Sequence, residues 1–215
     1  MPRAPRRILL SYAAPDAYAS LTRPLLAKLG YRILPVEELP RLPPVMSRRR
    51  PDLRIAEESR LLEVPDDPEG VRIPIVLVTN GPVSGTRDLR IVGAVRRPAG
   101  VHEMYRLLQS VMEQSPRATP RVATRLASWF RLNGREGQGS IVSLSENGCL
   151  IEAPAIPLGA RIDLEFELPS GARLRTRADA AYRLPSGVGL VFNDGSPELR
   201  KLVGGFVLET LLAAA

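Results

Sequence analysis

The stretch PRVATRLASWF, residues 120–130, carries the residues whose type and spacing point most directly to chemistry. Arg121 and Arg125 stand four positions apart, after Pro120 and just before a run that alternates apolar and polar residues as a β-strand does. A guanidinium group presents a rigid fork of N–H donors that matches the oxygens of a phosphate. The pair therefore raises the question of which anion it serves.

The composition of the whole chain is also basic. The net charge is +7 and the sequence pI is about 10.3, and only Lys28 and Lys201 are lysines, so arginine supplies nearly all of the positive charge. A basic chain favours a polyanionic partner such as a nucleic acid, a nucleotide or an anionic membrane surface. The alternative, that most of these arginines are ordinary surface cations without a specific partner, explains the composition equally well. Because they are dispersed among acids, we expect no DNA binding.

A second motif follows the arginine pair about 20 residues later. SLSENG, residues 143–148, places Ser145 three residues before Gly148, and GVGLVF follows at 187–192, ahead of a C-terminal helical pattern. In order and spacing these features resemble the PilZ family, whose pattern is RxxxR, then D/N-x-S-x-x-G in the turn between two strands, then G-h-G-h-x-F. The resemblance covers about 95 residues, and each motif by itself is weak.

The resemblance implies a six-stranded antiparallel barrel that binds cyclic di-GMP, a bacterial second messenger, on its outside. It implies that Arg121 and Arg125, on a flexible segment, wrap over the two phosphates and two guanines of this ligand. An arginine fork also matches the O6/N7 edge of guanine. It further implies that Ser145 offers a hydroxyl and that Gly148 permits a tight turn with positive φ near the ligand.

Ser143 departs from the pattern, because the family has Asp or Asn there. A serine hydroxyl is shorter than either side chain and carries no charge. Loss of a charge-assisted hydrogen bond costs about 1.5–3 kcal/mol, which is roughly ten- to a hundredfold in affinity. Binding therefore either survives in weakened form or is lost, and in the second case Arg121 and Arg125 are ordinary cations of a degenerate domain.

The elements that must position these residues can be read from the second half of the chain. Short alternating runs after residue 121 are separated by dense turn signals such as NGREG, SENG and PSG, which is typical of a small closed antiparallel barrel. Trp129 and Phe130 point to opposite faces of one strand, and we expect Phe130 in the core. Residues 197–215 predict a helix that depends on docking, because Gly204 and Gly205 weaken it.

Residues 7–113 follow a different pattern. Short apolar runs that read as strands alternate with helical patterns, and the clearest helix spans residues 100–114, with an apolar face formed by Val101, Met104, Tyr105, Leu108, Val111 and Met112. This alternation predicts an α/β domain with a doubly wound parallel sheet.

This half resembles a response-regulator receiver domain. Aligned by strands, Thr79 takes the Thr/Ser position, Arg97-Pro98 takes the Lys-Pro position, and Glu57 stands where the phosphate-accepting aspartate belongs. The acidic pair after the first strand is absent, since only Asp16 is near and it comes too late. Without paired carboxylates Mg²⁺ has few ligands. We expect a pseudo-receiver that is not phosphorylated; a stronger version has Glu57 mimic a phosphorylated aspartate.

Other chemistries find little support. With one histidine, His102, and one cysteine, Cys149, a zinc site has almost no ligands and no disulfide can form within the chain. No phosphate-cradling glycine loop is present, so we expect neither enzymatic activity, nor a metal, nor a cofactor other than the ligand. No apolar run reaches the roughly 20 residues of a membrane span. We expect a cytoplasmic protein without membrane insertion.

The sequence thus predicts two domains, receiver-like over 1–114 and PilZ-like over 121–215, joined by a linker at 115–120. Two functions remain open. The first is an effector in which cyclic di-GMP binds Arg121, Arg125, Ser143, Ser145 and Gly148 and changes binding to a signalling, motility or export protein. The second is a ligand-independent adaptor that acts by protein–protein interaction. A homodimer is possible, since both helices have apolar faces.

Overall fold

The structure, a computed structural model, describes residues 7–44, 49–81, 88–114, 117–153, 156–193 and 196–213. These residues form two compact units, the first ending at Ala118 and the second running from Thr119 to Ala213. The division falls within the stretch expected to be a linker, of which residues 115 and 116 lie outside the described chain.

Parallel strand pairing builds the first unit. Its five strands stand in the order β2-β1-β3-β4-β5, and every neighbouring pair is parallel. The strands are β1 (Arg7–Tyr12), β2 (Tyr31–Pro35), β3 (Leu53–Glu57), β4 (Ile75–Thr79) and β5 (Ile91–Arg96). Strands such as the fully buried β4 suit a sheet that is covered on both faces. The predicted parallel sheet is confirmed, and its order is one of the doubly wound orders.

The two faces of this sheet are covered differently. The helices α1 (Thr22–Lys28) and α2 (Val101–Met112) contact each other and therefore lie on the same face. Short 3-10 turns at Val36–Arg41 and Glu58–Glu63 pack against the other face. Pro40 stands inside the first of these turns, and proline removes the N–H donor that a longer helix needs at such a position.

Antiparallel pairing builds the second unit, which is the predicted closed six-stranded barrel. The strands follow one another around the barrel as β10-β11-β8-β7-β6-β9. They are β6 (Arg121–Leu132), β7 (Arg135–Ser145), β8 (Gly148–Glu152), β9 (Arg161–Glu167), β10 (Arg173–Leu184) and β11 (Gly187–Phe192). Closure pairs both edges of every strand, so the barrel has no free sheet edge.

Alternation along the strands fills the barrel with one face of each. Phe130 is buried and Trp129 points outward, which confirms the assignment made from parity. Phe166 is fully buried and stacks on Phe192 with ring centroids 6.2 Å apart. Truncating such a core aromatic to alanine costs about 3–5 kcal/mol.

The C-terminal helix α3 (Pro197–Ala213) docks on this core, as the sequence predicts. Leu199, Val203 and Val207 are buried among the barrel's apolar side chains. The hydroxyl of Ser196 accepts the N–H of Leu199 at 3.1 Å and caps the helix start. In the described part of the chain, no helix combines the length and the apolar composition needed to cross a membrane.

Candidate ligand-binding site

Three of the five predicted site residues lie in one row across the outside of the barrel. Arg121 on β6 pairs with Ser145 on β7, and Ser145 pairs with Gly148 on β8. Residues that pair directly across antiparallel strands share a face of the sheet. The two sequence motifs therefore lie side by side on paired strands. The row continues to Val191 on β11.

Ser143 lies in the next outward row. It pairs with Ala123 on β6 and with Leu150 on β8, and the row continues to Gly189 on β11 and Tyr182 on β10. Most of the outward residues within these two rows are small, and Leu150 is the exception. Larger side chains stand at the row ends, namely Arg121, Val191 and Tyr182. We call this surface the ligand face; it comprises Arg121, Ala123, Arg125, Ser143, Ser145, Gly148, Leu150, Gly189 and Tyr182.

Arg125 is set apart from the rows by an irregularity of the strand. The β6–β7 register shifts between Ala123 and Leu126, so Thr124 and Arg125 have no direct partner there. The Thr124 hydroxyl donates to the carbonyl oxygen of Ile141 at 2.6 Å and bridges the irregularity. Bulges of this kind re-aim a side chain, and Arg125 is exposed.

The arginine pair is part of the barrel and not of a flexible segment, so that expectation is wrong. Strand β6 already begins at Arg121, five residues before the run that alternation alone indicated. Val122 and Leu126 both point inward, on either side of the irregular stretch. The strand therefore holds the Arg121 backbone in place.

Ser145 and Gly148 have structural roles that the sequence did not reveal. The Ser145 hydroxyl is buried and donates to the Gly148 carbonyl oxygen at 3.0 Å, which closes the turn between β7 and β8. Gly148 does not adopt a positive φ, contrary to expectation. Glycine is required there because a Cβ atom would lie 2.2 Å from the carbonyl oxygen of Leu190 on the neighbouring strand.

Tyr182 is a residue of the ligand face that sequence reasoning missed. Its hydroxyl accepts a hydrogen bond from Nη1 of Arg121 at 2.7 Å. Along the barrel, β7, β8 and β11 lie between the strands that carry these two side chains. The Tyr182 ring lies over Gly189, where a Cβ atom would stand 2.2 Å from a ring carbon. The two-residue turn at Pro185 and Ser186 sets the pairing of β10 with β11, and so places Tyr182 opposite Gly189. This turn is the sequence signal that could have revealed the position of Tyr182.

The electrostatic setting of the ligand face is a positive charge without acidic partners. Among the described residues, no carboxylate lies within ion-pair distance of Arg121 or Arg125. Beneath the face, burial raises the pKa of the Cys149 thiol to about 12, and the nearby charge of Arg121 acts against this rise. Cys149 is therefore a neutral, inert thiol.

A second cluster lies at the carboxyl end of the parallel sheet in the first unit. Glu57 ends β3, Thr79 ends β4 and Arg97 follows β5, as the alignment by strands predicts. The Glu57 carboxylate accepts the Ala14 N–H at 2.8 Å and Nη1 of Arg97 at 3.1 Å. Nη2 of Arg97 donates to Asp16 at 2.5 Å. The guanidinium group thus stands between two carboxylates.

The ligand sets that hold a metal ion in proteins offer a further comparison for the described residues. No group of three or more His, Cys, Asp or Glu side chains there is arranged to hold one. The two clusters differ in what they offer: the ligand face presents donors to an anion, and the sheet edge has already paired its charges within the unit.

Comparison with known families identifies the class of the second unit. Residues 115–209 match the family model described as PilZ domain. The barrel, the arginine pair and the turn motif all lie within this match. The match confirms a PilZ domain at residues 115–209, in the C-terminal half of the chain.

Solved structures similar to this chain cover somewhat less than half of it. The inhibitor of motility MotI/DgrA of Bacillus subtilis is 13% identical with a TM-score of 0.42, over 46% of this chain and 53% of that one. The PilZ domain of YcgR from Escherichia coli, solved with c-di-GMP, is 15% identical with a TM-score of 0.38, over 46% and 93%.

PlzA of Borreliella burgdorferi, solved in complex with c-di-GMP, is 17% identical with a TM-score of 0.35, over 47% of this chain and 45% of that one. The chain spans about half the length of the motility inhibitor that it matches. No curated protein matches the sequence.

Proposed function

We propose that this protein is a signalling effector that binds cyclic di-GMP on the ligand face of its barrel and passes the signal to a protein partner. The observation that supports this best is the contrast in charge: Arg121 and Arg125 have no carboxylate partner among the described residues, whereas each outward arginine on β10 from 173 to 177 has one. Arginines without an acidic partner keep their donors for a ligand.

The chemistry of the face suits a flat, doubly anionic nucleotide. Ala123 and Ser143 form a floor of small residues that are not buried, against which a purine can lie without displacing a side chain. The two guanidinium groups stand at one side of this floor and match phosphate oxygens or the edge of guanine.

Tyr182 is the partner of Arg121 that a ligand must replace. Its hydroxyl is a neutral acceptor for Arg121. A phosphate oxygen is a charged acceptor and forms a hydrogen bond about twice as strong. An incoming ligand therefore replaces the phenol as the partner of Arg121, and the freed ring can pack against a base.

Calorimetric titration of the full chain with cyclic di-GMP tests this proposal. We expect binding that is lost when Arg121→Ala and Arg125→Ala are combined. Arg200→Ala is the matched control, because Arg200 is exposed on α3 of the same unit. A linear dinucleotide and GTP test specificity. Failure of the wild-type chain to bind at high ligand concentration contradicts the proposal, as does equal loss in the Arg200→Ala control.

The adaptor that needs no ligand is the second candidate, and Ser143 is the observation that favours it. A serine at this place lacks the charged or amide group of the family pattern, and the position faces the floor beside Ala123 and Leu150. If the wild-type chain does not bind cyclic di-GMP, the adaptor becomes the better account, and its partner can be sought without ligand.

We propose further that the first unit is a pseudo-receiver that is not phosphorylated. Both oxygens of Glu57 already accept hydrogen bonds, and Arg97 supplies the positive charge between Glu57 and Asp16. Incubation with acetyl phosphate and Mg²⁺, followed by intact-mass spectrometry, tests this. An unchanged mass is expected; gain of a phosphoryl group on this unit rules the proposal out.

A further inference from the structure

A second unusual surface lies on the outside of the barrel, around Trp129. A groove of about 900 Å³ crosses it. Trp129, the only tryptophan of the chain, is 45% exposed there. We call this surface the ladder face; it comprises Trp129, Arg131, Glu136, Gln138, Asp163, Glu165, Glu167, Arg173, Arg175 and Arg177. None of these residues belongs to the ligand face.

Charges on the ladder face form two parallel stripes of opposite sign. Over three rows strand β10 presents outward arginines and β9 presents outward acids beside them, and in the following row the signs are exchanged, with Asp179 on β10 and Arg161 on β9. In the strand register each arginine pairs with one acid: Arg173 with Glu167, Arg175 with Glu165, and Arg177 with Asp163. Nε of Arg175 lies 2.7 Å from the Glu165 carboxylate, and Nε of Arg177 lies 3.6 Å from that of Asp163. The arginine side chains nevertheless stay more than 60% exposed.

The stripes limit what can cover this face. A polyanion such as a nucleic acid is repelled by the acids of β9, and a basic partner is repelled by the arginines of β10. The matching surface must present a negative stripe opposite β10 and a positive stripe opposite β9, at the spacing of two neighbouring strands. Complementary charge of this kind determines the partner and the register of an interface.

We propose that a second copy of this chain covers the ladder face and that the two copies form a two-fold symmetric dimer. A two-fold axis in the plane of the interface, parallel to the strands and midway between β9 and β10, exchanges the two stripes. Each arginine then faces the acid of its own row in the second copy, for example Arg175 opposite Glu165. Such a self-complementary patch is what an isologous dimer requires.

Trp129 completes this arrangement. It pairs with Glu165 in the strand register and therefore stands beside the acidic stripe. In the dimer the arginine stripe of the second copy covers that acidic stripe, so the indole ring lies next to its guanidinium groups. Contact between arginine and the face of an indole is favourable, and Trp and Arg are enriched among the residues that dominate interface energies.

The relative size of the contributions predicts how the dimer responds to salt. Exposed ion pairs contribute little each and are screened by salt. Burial of the tryptophan supplies apolar area that salt does not screen. We therefore expect a weak dimer that dissociates partly, but not completely, as ionic strength rises.

Charge exchange between two variants tests the proposal on the full chain without any ligand. Arg175→Glu makes row 175/165 wholly acidic and Glu165→Arg makes it wholly basic, so each variant alone is expected to dimerise at least about tenfold more weakly. An equimolar mixture restores both pairs and is expected to form a heterodimer. Analytical ultracentrifugation at about 0.1 mM detects dimers with micromolar Kd.

The fluorescence of the single tryptophan gives a second readout. Dimer formation is expected to shift the emission of Trp129 to the blue and to protect it from acrylamide quenching. Arg32→Glu, an exposed change on β2 of the first unit, is the matched control and should behave as wild type. Restoration in the mixture also shows that both variants are folded.

Three outcomes overturn the proposal. The wild-type chain stays monomeric at about 0.1 mM, where a micromolar dimer is populated; or a dimer persists unchanged in both single variants; or the mixture fails to restore association although each variant keeps the circular dichroism spectrum of the folded chain. Binding of cyclic di-GMP can succeed or fail independently of all three.

Discussion

The ligand face and the ladder face are built on the same barrel by the same alternation of residues, and they use arginine in opposite ways. On the ladder face the strands are regular and each outward arginine from 173 to 177 finds an acid one strand away. On the ligand face the register is interrupted next to Arg125, and Arg121 bonds to the neutral Tyr182.

This difference teaches that the count of arginines says little about function. An arginine beside a carboxylate already uses some of its donors within the chain, while one whose partner is a neutral phenol still offers donors to a charged acceptor. The irregular strand is equally informative, because bulges concentrate where a side chain must be aimed outward for binding. The following experiments test the two faces against each other, from the largest expected effect to the smallest.

Replacement of Gly148 by alanine is expected to have the largest effect on stability. The new Cβ would meet the Leu190 carbonyl oxygen at 2.2 Å, so the β8–β11 pairing must separate. We expect a loss of about 1–3 kcal/mol or more in unfolding free energy, measured by urea denaturation. Gly204→Ala is the control, since it has open space within α3 and should be stabilising. Equal stability of Gly148→Ala and wild type would contradict the close approach.

Replacement of Ser143 by aspartate is expected to restore the ligand-binding pattern of the family. A carboxylate beside the floor adds a charge-assisted hydrogen bond to a guanine edge, worth about 1.5–3 kcal/mol, or roughly ten- to a hundredfold in affinity. Calorimetric titration with cyclic di-GMP measures it. Ser140→Asp controls for the added negative charge, because Ser140 lies on the same strand, pairs with Ala127 and is not part of the ligand face. If both variants bind alike, Ser143 does not face the ligand.

Removal of the Tyr182 hydroxyl tests whether this group competes with the ligand for Arg121. Tyr182→Phe keeps the ring over Gly189 but deletes the acceptor of Arg121. The hydrogen bond contributes about 0.5–1.5 kcal/mol, so the unliganded chain loses up to that much stability and cyclic di-GMP binds up to about tenfold more tightly. Weaker binding by the variant would mean that the hydroxyl positions Arg121 for the ligand instead.

Removal of an exposed ion pair on the ladder face is expected to have the smallest effect. Arg131 and Glu136 face each other across β6 and β7 at 3.0 Å, and both side chains are well exposed. A double-mutant cycle with alanine at both positions should give a coupling energy of about 0.2–1 kcal/mol that falls with salt. A much larger coupling, unchanged by salt, would show that this face is not open to water in the isolated chain.

Much of the barrel could be predicted because its information is local. Alternation of apolar and polar residues assigns Phe130 to the core and Trp129 to the surface, and glycine-rich turns mark the strand ends. The family resemblance likewise implied a common site for Arg121, Ser145 and Gly148, and the pairing of their strands places these residues in one row. Local pattern did not reveal that Arg125 stands at a bulge, because the register shift depends on how β7 pairs with β6.

Sequence by itself determined the parallel sheet, the closed barrel and the docked C-terminal helix. It also singled out Arg121 and Arg125 as the candidate ligands of an anion. Tertiary structure alone decided that Gly148 is needed for the close approach of β11, that Tyr182 is the partner of Arg121, and that Arg97 stands between Glu57 and Asp16. The physical reason is the range of each signal. Periodicity and turn chemistry act over a few residues, whereas these contacts join residues 40 to 81 positions apart, and only the folded chain brings them together.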